Sequence, residues 1–447
     1  MHANNRKTKS ADFPNIEKPR SFFFKHWKNQ NRPTVSFIHR YGLEGWVCCG
    51  GHAVPGLVDQ LSKDTVIHFY GPRTTEPLSP ELRSKLILHE LPYRYNRANP
   101  NDKFSKTLLW YFWLPLIGLR CRLNGTRLIW NDETVPLSAS ILRVFYGKNI
   151  AITVMDFFAR IYTNGHPRLH WLRDLVEWID FASWKKLPLI FTKVQYTQEF
   201  LAEHGVPGEV MRLYRNPVDH TKFHPIDEVT RKATREKFGF TEDDVVLSHH
   251  GILHPNKGND WIFQRLEKLK DDLPNLKFLL IGNGPEMDNL KRLAAELGIA
   301  NRVVFTGWLP SEEDLNDSLA SADIGLVMRI GQETDHFHMT DTLAHEMACG
   351  KPILAVNLRG IAEVILEEEN GFLFSPENPN EFREKLLLLA KSKELRTQTA
   401  AKLLQHSYNL GNIEVCSQNI SIALQRAIKN KQPDKHNKGL PEKGGCN

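Results

Sequence analysis

The feature that most restricts the fold is an alternation that runs through the chain twice. From residue 34, short apolar runs alternate with helix-like segments. They read TVSFIHRYG, the helix HAVPGLVDQLS, DTVIHFYGP, TRLIWNDE, the helix PLSASILRVFYG, NIAITVMDFF, LPLIFTKVQYTQEFLAEHG and EVMRLYRNPVD. Near residue 245 a second series opens, with strands DVVLSHHG, LKFLLIGNG, RVVFTGW, ADIGLVM, PILAV and GFLFSP separated by amphipathic helices. Strands joined through helices build parallel sheets covered on both faces. Two series in 447 residues exceed what one core usually holds. The chain is therefore expected to be α/β, with two doubly wound parallel-sheet domains facing each other across a cleft.

The expected boundaries follow from composition. Residues 34–217 form the first domain, 218–240 a polar, Pro-containing linker, and 241–410 the second domain. A helix over 411–430 is expected to pack back on the first domain, and 431–447 reads as a disordered tail. Residues 1–33 form a basic leader: residues 1–40 hold nine Lys/Arg against Asp12 and Glu17, in a chain of net charge +6. Its RSFFFKHWK stretch suits either a solvated terminus or contact with an anionic membrane surface. The most apolar run, TLLWYFWLPLIGL at 107–119, is shorter than the ~20 residues that span a bilayer. It is read as a core helix, with a membrane-facing helix as the alternative. The six cysteines have no C-x-x-C pairing, which fits reduced thiols and a cytoplasmic protein. Nothing resembles a nucleic-acid motif, and no clustered Asp/Glu signature points to a metal.

Ligands of such folds bind at the carboxyl ends of the strands. In the second series, SHHGILHPNKGND offers Lys257 and Gly258 at a helix start, and LLIGNGPEMDNL repeats the arrangement with Gly282 and Gly284. Glycines there let the backbone approach a phosphate, and an ammonium adds charge. Any tight turn after a strand also requires glycine. Asp156, at the end of AITVMDFF, is either a loop cap or a sugar contact.

The ordered set G-x-L-x-x-x-K-G, L-L-I-G-x-G-P, R-V-x-F-T-G-W-L-P, A-D-I-G-L-V-M, E-M-A-C-G-K-P-I and R-G-I-A-E-V-I…N-G-F-L-F resembles the donor half of GT-B glycosyltransferases, in particular glycosyltransferase family 4 (group 1), over residues 245–395. The resemblance implies two Rossmann-like domains and transfer of a sugar from a nucleoside diphosphate donor to a glycan, lipid-linked or other acceptor. It further implies retention of configuration, no bound metal and no cofactor beyond the donor substrate. It assigns Lys257 to the diphosphate, with Gly251, His250 and His254 on the same loop. Gly307 and Trp308 fall where the base is received, the alternative for Trp308 being ordinary packing. Gly50 and Gly51 would form the acceptor-side loop. The family's paired carboxylates fall on His345 and Phe337, and its loop arginine on Ile252. His345 is then expected to take a ribose hydroxyl, with Asp341 orienting it and Glu346 nearby, while Glu333, Asp335 and His336 stand in for the first carboxylate. Lys257, Asp156 and His345 are the expected catalytic residues. A nucleotide-sugar epimerase or phosphorylase on the same fold, or a catalytically silent nucleotide-sugar- or glycan-binding protein, are the alternatives.

Overall fold

The computed structural model describes residues 32–43, 46, 53–74, 79–96, 100–132, 134–330 and 332–429. Gly50, Gly51, residues 1–31 of the leader and the 431–447 tail lie outside them.

The first sheet comprises β1 (Thr34–Ile38), β2 (Val66–Arg73), β3 (Leu86–Arg94), β4 (Thr126–Asn131), β5 (Ile150–Val154), β6 (Leu189–Thr192) and β7 (Met211–Leu213). All pairs are parallel, in the order β3-β2-β1-β4-β5-β6-β7. The second comprises β8 (Val245–His250), β9 (Leu276–Ile281), β10 (Val303–Gly307), β11 (Ile324–Val327), β12 (Ile353–Val356) and β13 (Phe372–Phe374). It too is parallel throughout, ordered β10-β9-β8-β11-β12-β13. Buried on both faces, the central strands are almost wholly apolar, as in IAITV of β5 and ILAV of β12. In each sheet the strand order reverses beside the first strand, so a crevice opens between β1 and β4 and another between β8 and β11.

One feature departs from the expected organisation. The 218–240 segment is no open linker. Phe223 is buried, and a helix, Glu228–Lys237, packs on the second domain, where Arg235 donates to Asp323 Oδ2 at 3.0 Å. The 107–119 run sits in a longer helix, Pro100–Leu123, that buries Trp110, Leu114, Ile117 and Cys121 and exposes its other face. At the far end of the chain the Ile413–Lys429 helix leaves the second domain and lies on the Ala53–Leu61 helix, sending Ile420, Leu424 and Ile428 into the core under β1, β2 and β4.

Candidate functional site

The β8/β11 crevice is built by local backbone geometry. β8 runs out at His250, and Gly251 turns the chain with φ +132° while its N–H bonds Ile281 O at 2.9 Å. A 3-10 turn over Pro255–Lys257 and the left-handed Gly258, φ +61°, then lead into the Asn259–Lys268 helix. A side chain at Gly258 would crowd Met328, its Cβ lying 3.0 Å from Cε. The turn folds Lys257 back, so that Nζ lies 3.6 Å from where a Gly251 Cβ would be. Burial and the Arg329 guanidinium push the lysine from 10.5 down to about 8, against the pull of Asp341 and Asp335. Arg329 follows β11 and donates to Asp335 Oδ1 at 2.7 Å. Lys257 is thus a largely buried ammonium near the Asp335-paired Arg329, an environment that an anion with several oxygens would ease.

Beside this pair lies a cavity of about 320 Å³ lined by His250, Gly251, Gly282, Trp308, Pro310 and Leu315, among others. Trp308 follows the left-handed Gly307 and is 63% exposed at the site. Gly282 is required by close backbone approach, since a Cβ there would lie 2.0 Å from Gly251 O. Gly284 is sealed against Leu253, whose O would be 2.4 Å from its Cβ. Its first role is thus to let two loops touch. His254 is exposed and caps the 3-10 turn, its ring Nδ1 accepting from Asn256 N at 3.4 Å.

Thr340 caps the Asp341–Ala348 helix by accepting from Leu343 N at 3.2 Å. His345 lies flat on Phe223, with centroids 3.9 Å apart, and its Nδ1 is 3.1 Å from His250 Nε2. Burial, with His345, His249 and Lys257 alongside, pushes His250 well below its usual range. In this arrangement burial and its cationic neighbours favour the neutral ring, which sits against His345. Asp341 is exposed and accepts from Asn216 Nδ2 at 2.8 Å, which ties it to the inter-domain segment. Glu346 corrects the expectation placed on it. One position on, about 100° around the helix, it is 0% exposed and turned onto the sheet. Its Oε1 accepts from Ser248 Oγ at 2.9 Å, and Gly325 leaves the room it occupies. Burial pushes its carboxyl up to about 8. It faces β8 and β11, away from the cleft.

Phe337, where the family pattern carries a carboxylate, is a plug between the lobes. Its ring meets Phe157 at 4.6 Å, Tyr196 at 5.0 Å and Phe200 at 5.2 Å, all from the first domain. Polar contacts flank it. Asn164 donates to Gln332 at 2.8 Å, Arg160 pairs with Glu333, and His338 Nε2 lies 2.9 Å from Asp156 Oδ1. Glu363 accepts from Gln195 N and Tyr196 N at 2.7 Å each, at a helix start of the opposite lobe. Of the three stand-in candidates, Glu333 is thus engaged by Arg160, Asp335 by Arg329, and His336 accepts from Arg359 N at 3.2 Å. The structure brings Asp156 to the lobe interface and Lys257, His250 and His345 to the β8/β11 crevice.

Several residues not singled out from the sequence belong to the cleft. Arg329 is one and His338 another. Lys193 follows β6, is buried over the Tyr214 ring at 3.6 Å, and is pushed down by burial while Asp132 and Asp341 oppose the shift. Asp132 follows β4 and accepts from Trp46 Nε1 at 3.0 Å. Arg329, Lys193 and Asp132 each stand within two residues of the end of an apolar strand, the position that also pointed to Asp156. Among the described residues no group of three His, Cys, Asp or Glu is placed to hold a metal ion.

Two parallel-sheet lobes meeting over such a crevice define the GT-B class. The same architecture is found in Anabaena HepE solved with UDP and glucose (TM-score 0.65, 15% identity, 88% of this chain and 100% of that one). It is found also in sucrose-phosphate synthase from Thermosynechococcus elongatus (TM-score 0.66, 16% identity, 88% and 99%). At those identities the likeness is one of fold. Residues 230–403, which span most of the second lobe, match the family "Glycosyl transferases group 1". Relatives include the putative glycosyltransferase EpsD of Bacillus subtilis (27% identical over 42% of this chain and 47% of that one). Another is the GDP-mannose-dependent alpha-(1-6)-phosphatidylinositol monomannoside mannosyltransferase of Mycolicibacterium smegmatis (30% identical, 40% and 46%). The chain spans about half the length of these relatives.

Proposed function

We propose that the chain is a glycosyltransferase of the hexosyl type, moving a sugar from a nucleoside diphosphate donor to an acceptor held mainly by the first lobe. The observation that carries this reading is the Lys257 ammonium folded back over Gly251 in the β8/β11 crevice, beside a cavity with Trp308 exposed at its edge. As the glycosidic bond breaks, negative charge grows on the departing diphosphate. Cations fixed in a dry crevice stabilise that charge more than the ground state, which lowers the barrier. Lys257, Arg329 and the exposed N–H groups at the start of the Asn259–Lys268 helix would supply what a metal supplies elsewhere, so the reaction would be metal-independent. Retention of configuration follows the group 1 resemblance. The first lobe would bring Asp156, Asp132 and Lys193 to the acceptor. We place the reaction in the cytoplasm, peripheral to a membrane when the acceptor is lipid-linked.

A second reading is a catalytically silent nucleotide-sugar-binding protein. It draws on Phe337 occupying a carboxylate position and on Glu346 being turned into the core. Thermal-shift measurements with a panel of nucleotides and nucleotide sugars, on the parent and on Lys257→Ala, test the site. A donor should stabilise the parent by mass action and leave the variant unmoved. Release of nucleoside diphosphate in step with acceptor glycosylation separates transfer from epimerisation, phosphorolysis and silent binding. Equal stabilisation of both proteins, or of neither, would sink the assignment.

A further inference from the structure

Three adjacent helices cover one face of the first sheet: Pro100–Leu123, Ser138–Phe145 and His170–Trp184. The first packs on the second and the second on the third, and all three feed one core. Their outward faces are also apolar. Phe112 is 68% exposed, Val144 78%, Trp171 67% and Trp178 69%, with Leu116 and Leu123 alongside on the first helix. A helix that is apolar all round is normally covered, and a monomer usually scatters such residues singly.

The charges around this face have one sign. Among the described residues from 105 to 188, the exposed cations are Arg122, Arg127, Lys148, Arg168, Lys185 and Lys186, and the exposed anion is Asp174 alone. Arg173 already neutralises Asp174, its Nε donating to Oδ1 at 2.8 Å. The net field outside the helices is therefore positive.

We propose that this three-helix face docks on an anionic lipid bilayer, the helices lying along the surface. Indole rings prefer the headgroup level, where one edge is apolar and the other wet. Leucine and phenylalanine side chains enter the acyl boundary, and the cations meet anionic headgroups. Among the described residues no helix is long and apolar enough to cross a membrane, so the contact is peripheral. A second copy of the chain fits less well. A two-fold interface sets a patch against itself, and these like charges would then face each other. The inference deepens the membrane contact proposed above by naming the surface. Its readout is vesicle binding, which stands whether or not the chain transfers sugar.

The test is flotation of the full chain with phosphatidylcholine vesicles, with and without phosphatidylglycerol. Binding is expected to the anionic vesicles, to weaken as salt is raised, and to carry a blue shift of tryptophan emission. The double variants Trp171→Ser/Trp178→Ser and Lys185→Glu/Lys186→Glu should each lower partitioning about tenfold or more without moving the melting temperature by more than a few degrees. The lysine pair is exposed, so it reads docking even if the tryptophan pair folds poorly. Variants that bind like the parent would transfer the contact to another surface, and a parent that ignores anionic vesicles would end the proposal. So would a concentration-dependent dimer that Trp171→Ser/Trp178→Ser dissociates, since that would make the patch a subunit interface.

Discussion

Replacing Lys257 by methionine should make the empty protein more stable and disable its ligand site. The ammonium is carried in a crevice where burial and Arg329 push its ionisation from 10.5 down to about 8. At 1.36 kcal/mol per pH unit, that displacement corresponds to about 3 kcal/mol against folding while the group is charged. Methionine keeps the length and apolar stem and removes the charge. That displacement already contains the pull of Asp341 and Asp335; with a discount for the solvent the side chain still meets, a gain of roughly 1–3 kcal/mol at pH 7 is expected. The sign with pH is fixed. Below pH 8 the lysine is protonated folded and unfolded, and the parent bears the whole cost. Between 8 and 10.5 the folded state sheds its proton first, so the parent gains stability as pH rises and the two proteins converge. Urea denaturation of both from pH 6 to 10.5 measures this directly, and adding a nucleoside diphosphate should stabilise the parent alone. A Lys257→Met variant no more stable than its parent at pH 7, with an unchanged response to nucleotide, would refute the picture of a strained ammonium awaiting an anion.

Phe337→Ala empties the aromatic plug between the lobes. It should cost about 3–5 kcal/mol in denaturation experiments and enlarge the radius of gyration in solution scattering as the lobes part. Glu346→Gln tests the inward carboxyl. The folded protein holds that proton up to about 8, so the parent should lose stability relative to the variant as pH rises from 4.5 to 8. A melting-temperature series against pH shows it, and nucleotide affinity should be untouched. Trp308→Ala should leave stability within about 0.5 kcal/mol, because the side chain is exposed. It should weaken nucleotide binding roughly tenfold by calorimetry if the indole stacks on the base.

What could be read in the residues depended on how local its cause was. Lys257 was legible because Gly251, Gly258, a lysine and a helix start lie within one short stretch. Both sheets were legible because short apolar runs between helices have few other solutions. β3, LILHELPYR, escapes that reasoning: it is a partly exposed edge strand carrying charge, so it does not look like the buried strands. Glu346 was misplaced because the atoms that receive it, Ser248 Oγ and the space above Gly325, come from two other strands. The plug at Phe337 was hidden for the same reason, its partners lying in the opposite lobe. Arg329, Lys193 and Asp132 were the omissions with a local signal, each within two residues of the end of an apolar strand.

The placement of the last helix bears on how the chain is made. Ile420, Leu424 and Ile428 complete a core whose other members come from the first lobe. A ribosome delivers the first lobe's sheet early, yet the core beneath β1, β2 and β4 stays incomplete until residues 420–428, which follow the second lobe, have been translated. The second lobe, synthesised later, closes a core of its own and can fold beforehand, so the half that is born first would be the last to mature.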